Sequence, residues 1–170
     1  MIFLGIGSNL PSDYGDRFFN INLAMAYLDS YEIKIIKTSS FYETPSYPNA
    51  KNPKFINVVV EVDTNLQPTD LASVLIYVEE KLGRKRNKKN DPRTCDIDIL
   101  DFNNKAIKFD YNGLDFIVPH EQLKNRNFVL IPLQEIAPNW THPVTKVSVK
   151  SLIERLSNKD KNSILKVNKP

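Results

Sequence analysis

The spacing of apolar residues switches repeatedly between strand-like and helix-like along the first hundred residues, and this alternation limits the fold more than any single motif. Residues 2 to 7, Ile-Phe-Leu-Gly-Ile-Gly, form a short apolar run stopped by Ser8-Asn9 and Pro11, which predicts a buried central strand. From Asp16 to Ser30, Phe18, Ile21, Met25 and Leu28 recur at helical spacing, a stripe suited to covering a sheet. Glu32 to Tyr42 and Phe55 to Val62 are rich in β-branched and aromatic residues and read as strands. The prolines between Pro45 and Lys54 exclude an internal strand there and predict a loop. A second helix starts at Gln67-Pro68, carries Leu71, Val74, Leu75, Val78 and Leu82 on one face, and stops at Gly83. Asp96 to Phe102 then alternates as a strand, Asn103-Asn104 turns, and Lys105 to Phe109 returns as its hairpin partner. Helices are expected over Phe128 to Ile136 and Ser148 to Leu156, followed by a frayed polar tail. The order β-α-β-β-α-β, with an extra hairpin and C-terminal helices, predicts an α+β sandwich with helices on one face of an antiparallel sheet. The expected organisation is one domain over residues 1–157, with 158–170 as a polar tail or linker.

A chain of 170 residues with 41% hydrophobic and 25% charged residues has material for one ordinary core, which excludes wholesale disorder and coiled coil. Its single cysteine, Cys95, cannot close an intramolecular disulfide, so stability rests on packing and a reducing compartment, the cytoplasm, is expected. The apolar start lacks the basic region of a signal peptide, and no stretch approaches the roughly 20 apolar residues that span a bilayer. A soluble protein with no membrane partner is the expectation.

The net charge of +3 is unevenly spread. Lys81, Arg84, Lys85, Arg86, Lys88, Lys89 and Arg93 face only Asp91 within one short segment, a local +6; the remaining 16 basic and 19 acidic residues leave −3 elsewhere. This basic loop runs directly into Cys95-Asp96-Ile97-Asp98-Ile99. A strand places Asp96 and Asp98 on one face, about 7 Å apart, and Cys95, Ile97 and Ile99 on the other. Two carboxylates that close repel unless a cation lies between them. Hard oxygen ligands of this kind suit Mg²⁺, which takes the rest of its shell from water and substrate phosphates. Phosphoryl transfer needs metal ligands and arginines together, and here they adjoin. His120, Lys124 and Arg126 form a second cationic cluster. Neither His120 nor His142 has a partner at zinc spacing, so His142 reads as structural. Gly5-x-Gly7 lacks the third glycine of a dinucleotide fingerprint, Leu10 standing in its place, and no Walker-type phosphate loop occurs. Phe41, Tyr42, Tyr47, Phe55 and Phe128 are placed to include faces for a flat heteroaromatic ring, with Phe41 and Tyr42 better read as core.

Gly-Ser-Asn-Leu (7 to 10), Ser-Ser-Phe-Tyr-Glu-Thr-Pro (39 to 45), Phe-Ile-Asn (55 to 57), Pro-Arg-Thr-Cys-Asp-Ile-Asp-Ile-Leu (92 to 100), Val-Pro-His (118 to 120) and Lys-Asn-Arg-Asn-Phe-Val-Leu-Ile-Pro-Leu (124 to 133) occur in this order. Together they resemble the 6-hydroxymethyl-7,8-dihydropterin pyrophosphokinase family over residues 1 to 155. The resemblance implies a ferredoxin-like βαββαβ fold and transfer of pyrophosphate from MgATP to the pterin hydroxymethyl group, releasing AMP, in folate biosynthesis. It implies that Asp96 and Asp98 hold two Mg²⁺ ions, and that Arg84 and Arg93 are catalytic arginines of a loop closing over the triphosphate. Glu79, Arg86, His120, Lys124 and Arg126 would contact ATP. Thr44, Pro45, Tyr47, Phe55, Asn57 and Phe128 would bind the pterin, with Phe55 and Phe128 as the stacking pair. The loops 44–54 and 84–93 would be lids. A monomeric domain acting beside dihydropteroate synthase, or fused to it, is the implied setting.

The chain departs from the family pattern at Asn90-Asp91, where a glycine often preceded by tryptophan is common; at Glu121, where an aromatic residue or proline is usual; and at Asp115, where a base is expected. Two other classes share some of these features. An RNA-binding module of ferredoxin-like fold would need a Lys/Arg-Gly-aromatic-Gly/Ala-aromatic segment, which is missing. A metal-dependent nuclease would share Asp96, Asp98 and the basic loop but would need no pterin.

Overall fold

The computed structural model describes residues 1–168. Its main sheet is antiparallel, with strand order β5-β1-β4-β3-β8 and β2 also pairing with β4. The strands are β1 (Ile2–Ser8), β2 (Lys34–Thr38), β3 (Phe41–Thr44), β4 (Phe55–Asp63), β5 (Asp96–Phe102) and β8 (Leu165–Val167). Glu32 to Tyr42 is thus not one strand. It is broken at Ser39-Ser40, and its two pieces, β2 and β3, lie along successive parts of β4.

Helix α1 (Arg17–Ser30) starts where the Asp16 carboxylate accepts from the Phe19 N–H at 2.8 Å. Helix α2 (Pro68–Lys81) has proline at its first turn, Asp70 near its positive end and Lys81 near its negative end, and Gly83 beyond it at φ +88°. These two helices cover one face of the sheet. Ile21, Ala24 and Leu28 of α1, and Leu71, Leu75 and Val78 of α2, pack on Ile2, Leu4, Ile6, Val58, Val60, Ile97 and Ile99. Each fully buried aliphatic side chain contributes roughly 2 kcal/mol. That stripe fixes where Glu79, on the same helix, meets β5.

The opposite face is also covered, which corrects the expectation of helices on one face only. Helix α3 (Asn127–Ile136) and helix α4 (Val149–Glu154) pack Val129, Leu130, Leu133, Val149 and Leu152 on Phe3, Val59 and Leu100. The alternation that sends Leu4 and Val58 to the first core sends Phe3 and Val59 to the second.

Two further expectations are corrected. Asn103 and Asn104 do turn, both at positive φ, but β6 (Ile107–Tyr111) does not return along β5. It pairs with β7 (Leu114–Val118) around Asn112-Gly113, also both at positive φ, as a separate hairpin. The segment after Leu156 is not frayed through its described part. Ser157 caps a short helix α5 (Asn158–Asn162), and β8 joins the sheet beside β3. No helix among the described residues is long and apolar enough to cross a membrane.

Candidate active site

The register of β1 against β5 sets the Cα of Gly7 opposite Asp96 and that of Gly5 opposite Asp98. Both carboxylates therefore rise beside backbone that carries no side chain, at one end of the face covered by α3. On the other face Cys95, Ile97 and Ile99 are buried in the first core, and burial holds the Cys95 thiol pKa well up. A side chain at Gly7 has no room. A Cβ there would lie 2.9 Å from Asn57 Oδ1 and 3.4 Å from Phe55 Cδ1.

Cations from two separate segments converge on the acid pair. Arg84 Nη1 donates to Asp96 Oδ1 at 2.7 Å and lies 2.9 Å from Glu79 Oε1, and Arg93 Nη2 donates to Asp96 Oδ2 at 3.1 Å. Arg126 Nη1 reaches Asp98 Oδ2 at 3.4 Å, with His120 Nε2 3.8 Å from the same oxygen. Burial opposes ionisation of Asp96, but Arg93 and Arg84 outweigh it and hold its pKa below the usual carboxylate range. Asp98 is pushed the other way by burial and by the charge of Asp96, against the pull of His120 and Arg126. Two like carboxylates so placed separate in pKa as their cations are shared unequally.

Beneath them Glu79 is only 2% exposed. β5 is an edge strand, and the Glu79 carboxylate accepts from its free Ile97 N–H at 2.8 Å while pairing with Arg84 and Arg86. Burial, then the charge of Asp96, pushes its pKa up to about 7, against Arg84, the Ile97 N–H and Arg86. One helix residue thus anchors both the edge strand and the base of the basic loop.

The residues expected to bind a flat ring lie beside this cluster on β3, β4 and α3. Asn57 Nδ2 donates to Thr44 Oγ1 at 2.9 Å, and Thr44 is register partner to Phe55. The Arg93 guanidinium lies 4.9 Å from the centre of the Phe55 ring, and that of Arg126 lies 5.4 Å from the Phe128 ring. Pro45 follows directly on β3. Tyr47 is not brought in: it is 80% exposed on the loop. Lys124 is also exposed and, among the described residues, forms no ion pair with either carboxylate. His142 is buried, its Nδ1 accepting from the Val144 and Thr145 N–H groups, a structural part as expected.

Two residues that pattern reading did not assign to the site hold its loops. Asn9 accepts from Arg93 N at 2.7 Å and donates from Nδ2 to the Pro53 carbonyl at 3.1 Å. Arg17 donates to the Lys54 carbonyl at 2.8 Å and pairs with Glu43 at 3.1 Å, which clamps both ends of loop 44–54. No local signal marks either residue, because their partners are distant in sequence.

A cleft of about 330 Å³ runs along β5 between α2 and β7, lined by Glu79, Arg84, Asp96, Asp98, Phe116 and His120 among others. Asp115 and Glu121, two of the three departures from the family pattern, line it too. Arg93 Nε and Thr94 Oγ1 are buried without a protein partner, donors left over beside the acid pair. Among the described residues no group of three or more His, Cys, Asp or Glu side chains forms a closed metal cage. Two carboxylates with the remaining shell open to water and phosphate suit Mg²⁺, so the residues fit that ion.

A family model described as 7,8-dihydro-6-hydroxymethylpterin-pyrophosphokinase (HPPK) matches residues 3–138. The chain is 34% identical over 166 residues to a 2-amino-4-hydroxy-6-hydroxymethyldihydropteridine pyrophosphokinase of Aquifex aeolicus (strain VF5), covering 98% of each. It is 34% identical over 164 residues to the folic acid synthesis protein fol1 of Pneumocystis carinii, covering 96% of this chain and 21% of that protein. The chain therefore spans about a fifth of that longer relative. A solved wild-type Plasmodium falciparum HPPK-DHPS structure with STZ-DHP superposes with a TM-score of 0.72 at 19% identity, over 89% of this chain and 42% of that one, a likeness of fold.

Proposed function

The chain belongs to the 7,8-dihydro-6-hydroxymethylpterin-pyrophosphokinase family, and we propose that it transfers the pyrophosphoryl group of ATP to the hydroxymethyl oxygen of 6-hydroxymethyl-7,8-dihydropterin, as a step of folate synthesis. The observation that carries this reading is the convergence of Arg84, Arg93, Arg126 and His120 on Asp96 and Asp98, beside the Phe55 and Phe128 rings.

Asp96 and Asp98 would hold two Mg²⁺ ions, which when bound neutralise phosphate charge and orient the triphosphate. The cations that now neutralise the two carboxylates are the groups placed to meet the phosphates. Arg84 and Arg93 would cover the charge that spreads over the transferring phosphorus oxygens, with the buried Arg93 Nε as a further donor. Arg86, His120, Lys124 and Arg126 would hold the nucleotide, Lys124 by swinging in from the surface. Glu79 would set the base of the loop. Thr44, Pro45 and Asn57 would hold the pterin edge, Phe55 and Phe128 would flank its faces once the guanidiniums over them leave, and Tyr47 would close from the loop. The hydroxymethyl oxygen would attack the β-phosphorus in line, forming the new O–P bond as the bond to the AMP oxygen breaks, with AMP leaving and the hydroxyl proton lost to solvent. Catalysis by positioning and charge accounts for this step.

The test is incubation with MgATP and the pterin. AMP that appears only when the pterin is present is the expected result. RNA binding or cleavage without pterin-dependent AMP would replace this reading with a nucleic-acid module or a nuclease.

A further inference from the structure

We infer that the C-terminal segment 158–167 is a positioning element for the pterin half of the site, acting through Asn127 and β3. This rests on the proposed assignment of Thr44, Pro45, Phe55 and Phe128 to the pterin. The segment lies beyond the family-matched residues, and two attachments carry the inference.

The first is at the start of α3. Asn127, 8% exposed, stands between Arg126 and Phe128 where the helix begins without a side-chain cap of its own. Its amide donates to the Asp160 carbonyl at 2.6 Å and to Ser163 Oγ at 3.0 Å. Ser163 Oγ in turn donates to the same carbonyl, and Ser157 Oγ caps α5 by accepting from Asp160 N. The corner that carries Phe128 is therefore seated on α5.

The second is at the sheet edge. β8 pairs antiparallel with β3, with Leu165 opposite Glu43, Lys166 opposite Tyr42 and Val167 opposite Phe41. β3 is flanked by β4 on its other side, ends at Thr44 and leads directly into Pro45. Without β8 it would be an edge strand with a row of unpaired backbone groups. Glu135 of α3 joins the same parts: it accepts from Ser40 N at 2.9 Å, Ser40 Oγ at 2.7 Å and the Tyr42 hydroxyl, and lies 4.0 Å from Lys166 Nζ.

The sheet order puts β8 and the acid pair on opposite edges, with β1, β4 and β3 between them. Arg126 also has a second anchor, on Asp98. Loosening the segment should therefore weaken pterin binding far more than nucleotide binding.

The test uses two full-length variants, Lys166→Pro, which puts proline in the middle of β8, and Ser163→Ala. Binding is measured for the pterin, and separately for an ATP analogue with a methylene between its α- and β-phosphates, both with Mg²⁺; amide exchange reports on β3. The expected result for Lys166→Pro is a pterin Kd raised on the order of tenfold, a nucleotide Kd within about twofold of the original, and faster exchange in β3. Ser163→Ala should show a smaller shift of the same kind, and it decides the matter alone if the proline variant does not fold. Unchanged pterin affinity with β3 amides exchanging freely, or equal losses for both ligands, would overturn the inference. An unaltered protein that binds the nucleotide but no pterin would overturn the functional reading and this inference with it.

Discussion

Glu79 holds two guanidiniums and an edge-strand amide while almost fully buried, and its pKa of about 7 follows from that burial. An acid whose pKa rises on folding, here from 4.5, contributes fully below the unfolded value and progressively loses stability as pH rises from there through 7. The stability of the wild type relative to Glu79→Gln should fall by on the order of 3 kcal/mol between pH 4.5 and 7.5. Denaturant unfolding of both proteins across that range checks it, and parallel stability curves would contradict it. The acid pair makes a separate prediction: Asp96→Ala or Asp98→Ala should lower AMP formation on the order of a thousandfold with the circular dichroism spectrum unchanged. Near-normal turnover in either would remove the metal assignment. At this scale the sequence was informative where period alone suffices: two aspartates two apart on a strand share a face. The burial of Glu79 beneath them was not legible, since it depends on how α2 docks against β5.

β1 shows how an element, more than any one of its residues, makes the site. Its two glycines face Asp98 and Asp96, and Gly7 leaves space that Asn57 and Phe55 fill. Gly7→Ala should displace both side chains, raising the pterin KM at least severalfold while costing about 1–3 kcal/mol of stability. Steady-state kinetics with each substrate varied in turn checks this, and an unchanged pterin KM would contradict it. The basic loop also acts as an element. Arg93→Ala should lower kcat more than it weakens nucleotide binding, because its contact strengthens in the transition state; an unchanged kcat with weaker binding would count against that. Strongly periodic elements such as α2 and β5 were legible from pattern. The hairpin was not, because two turn signals competed: Asn103-Asn104 adjoined a clear strand, whereas Asn112-Gly113, the stronger hairpin pair, lay between short runs that alternate only weakly. β8 escaped notice for a related reason. Three residues in a polar tail carry no period, and only the unpaired edge of β3 gives them a place.

For the whole molecule, the net charge of +3 averages a basic loop with a net acidic remainder, and the fold brings the two ends of that loop, Arg84 and Arg93, onto Asp96 while Lys85, Lys88 and Lys89 between them stay exposed. Two cores on the two faces of one sheet hold this arrangement, α1 and α2 behind the strands and α3 and α4 in front. The second core was hard to foresee because β1 and β4 are apolar on both faces, so alternation did not say which face lay bare. By the proposed function, this assembly moves a pyrophosphoryl group and not a single phosphoryl group. Phosphorus NMR of the products from MgATP and 6-hydroxymethyl-7,8-dihydropterin tests it most directly. AMP and a pterin diphosphate in equal amounts are expected; ADP with a pterin monophosphate, or AMP formed without the pterin, would rule the transfer out.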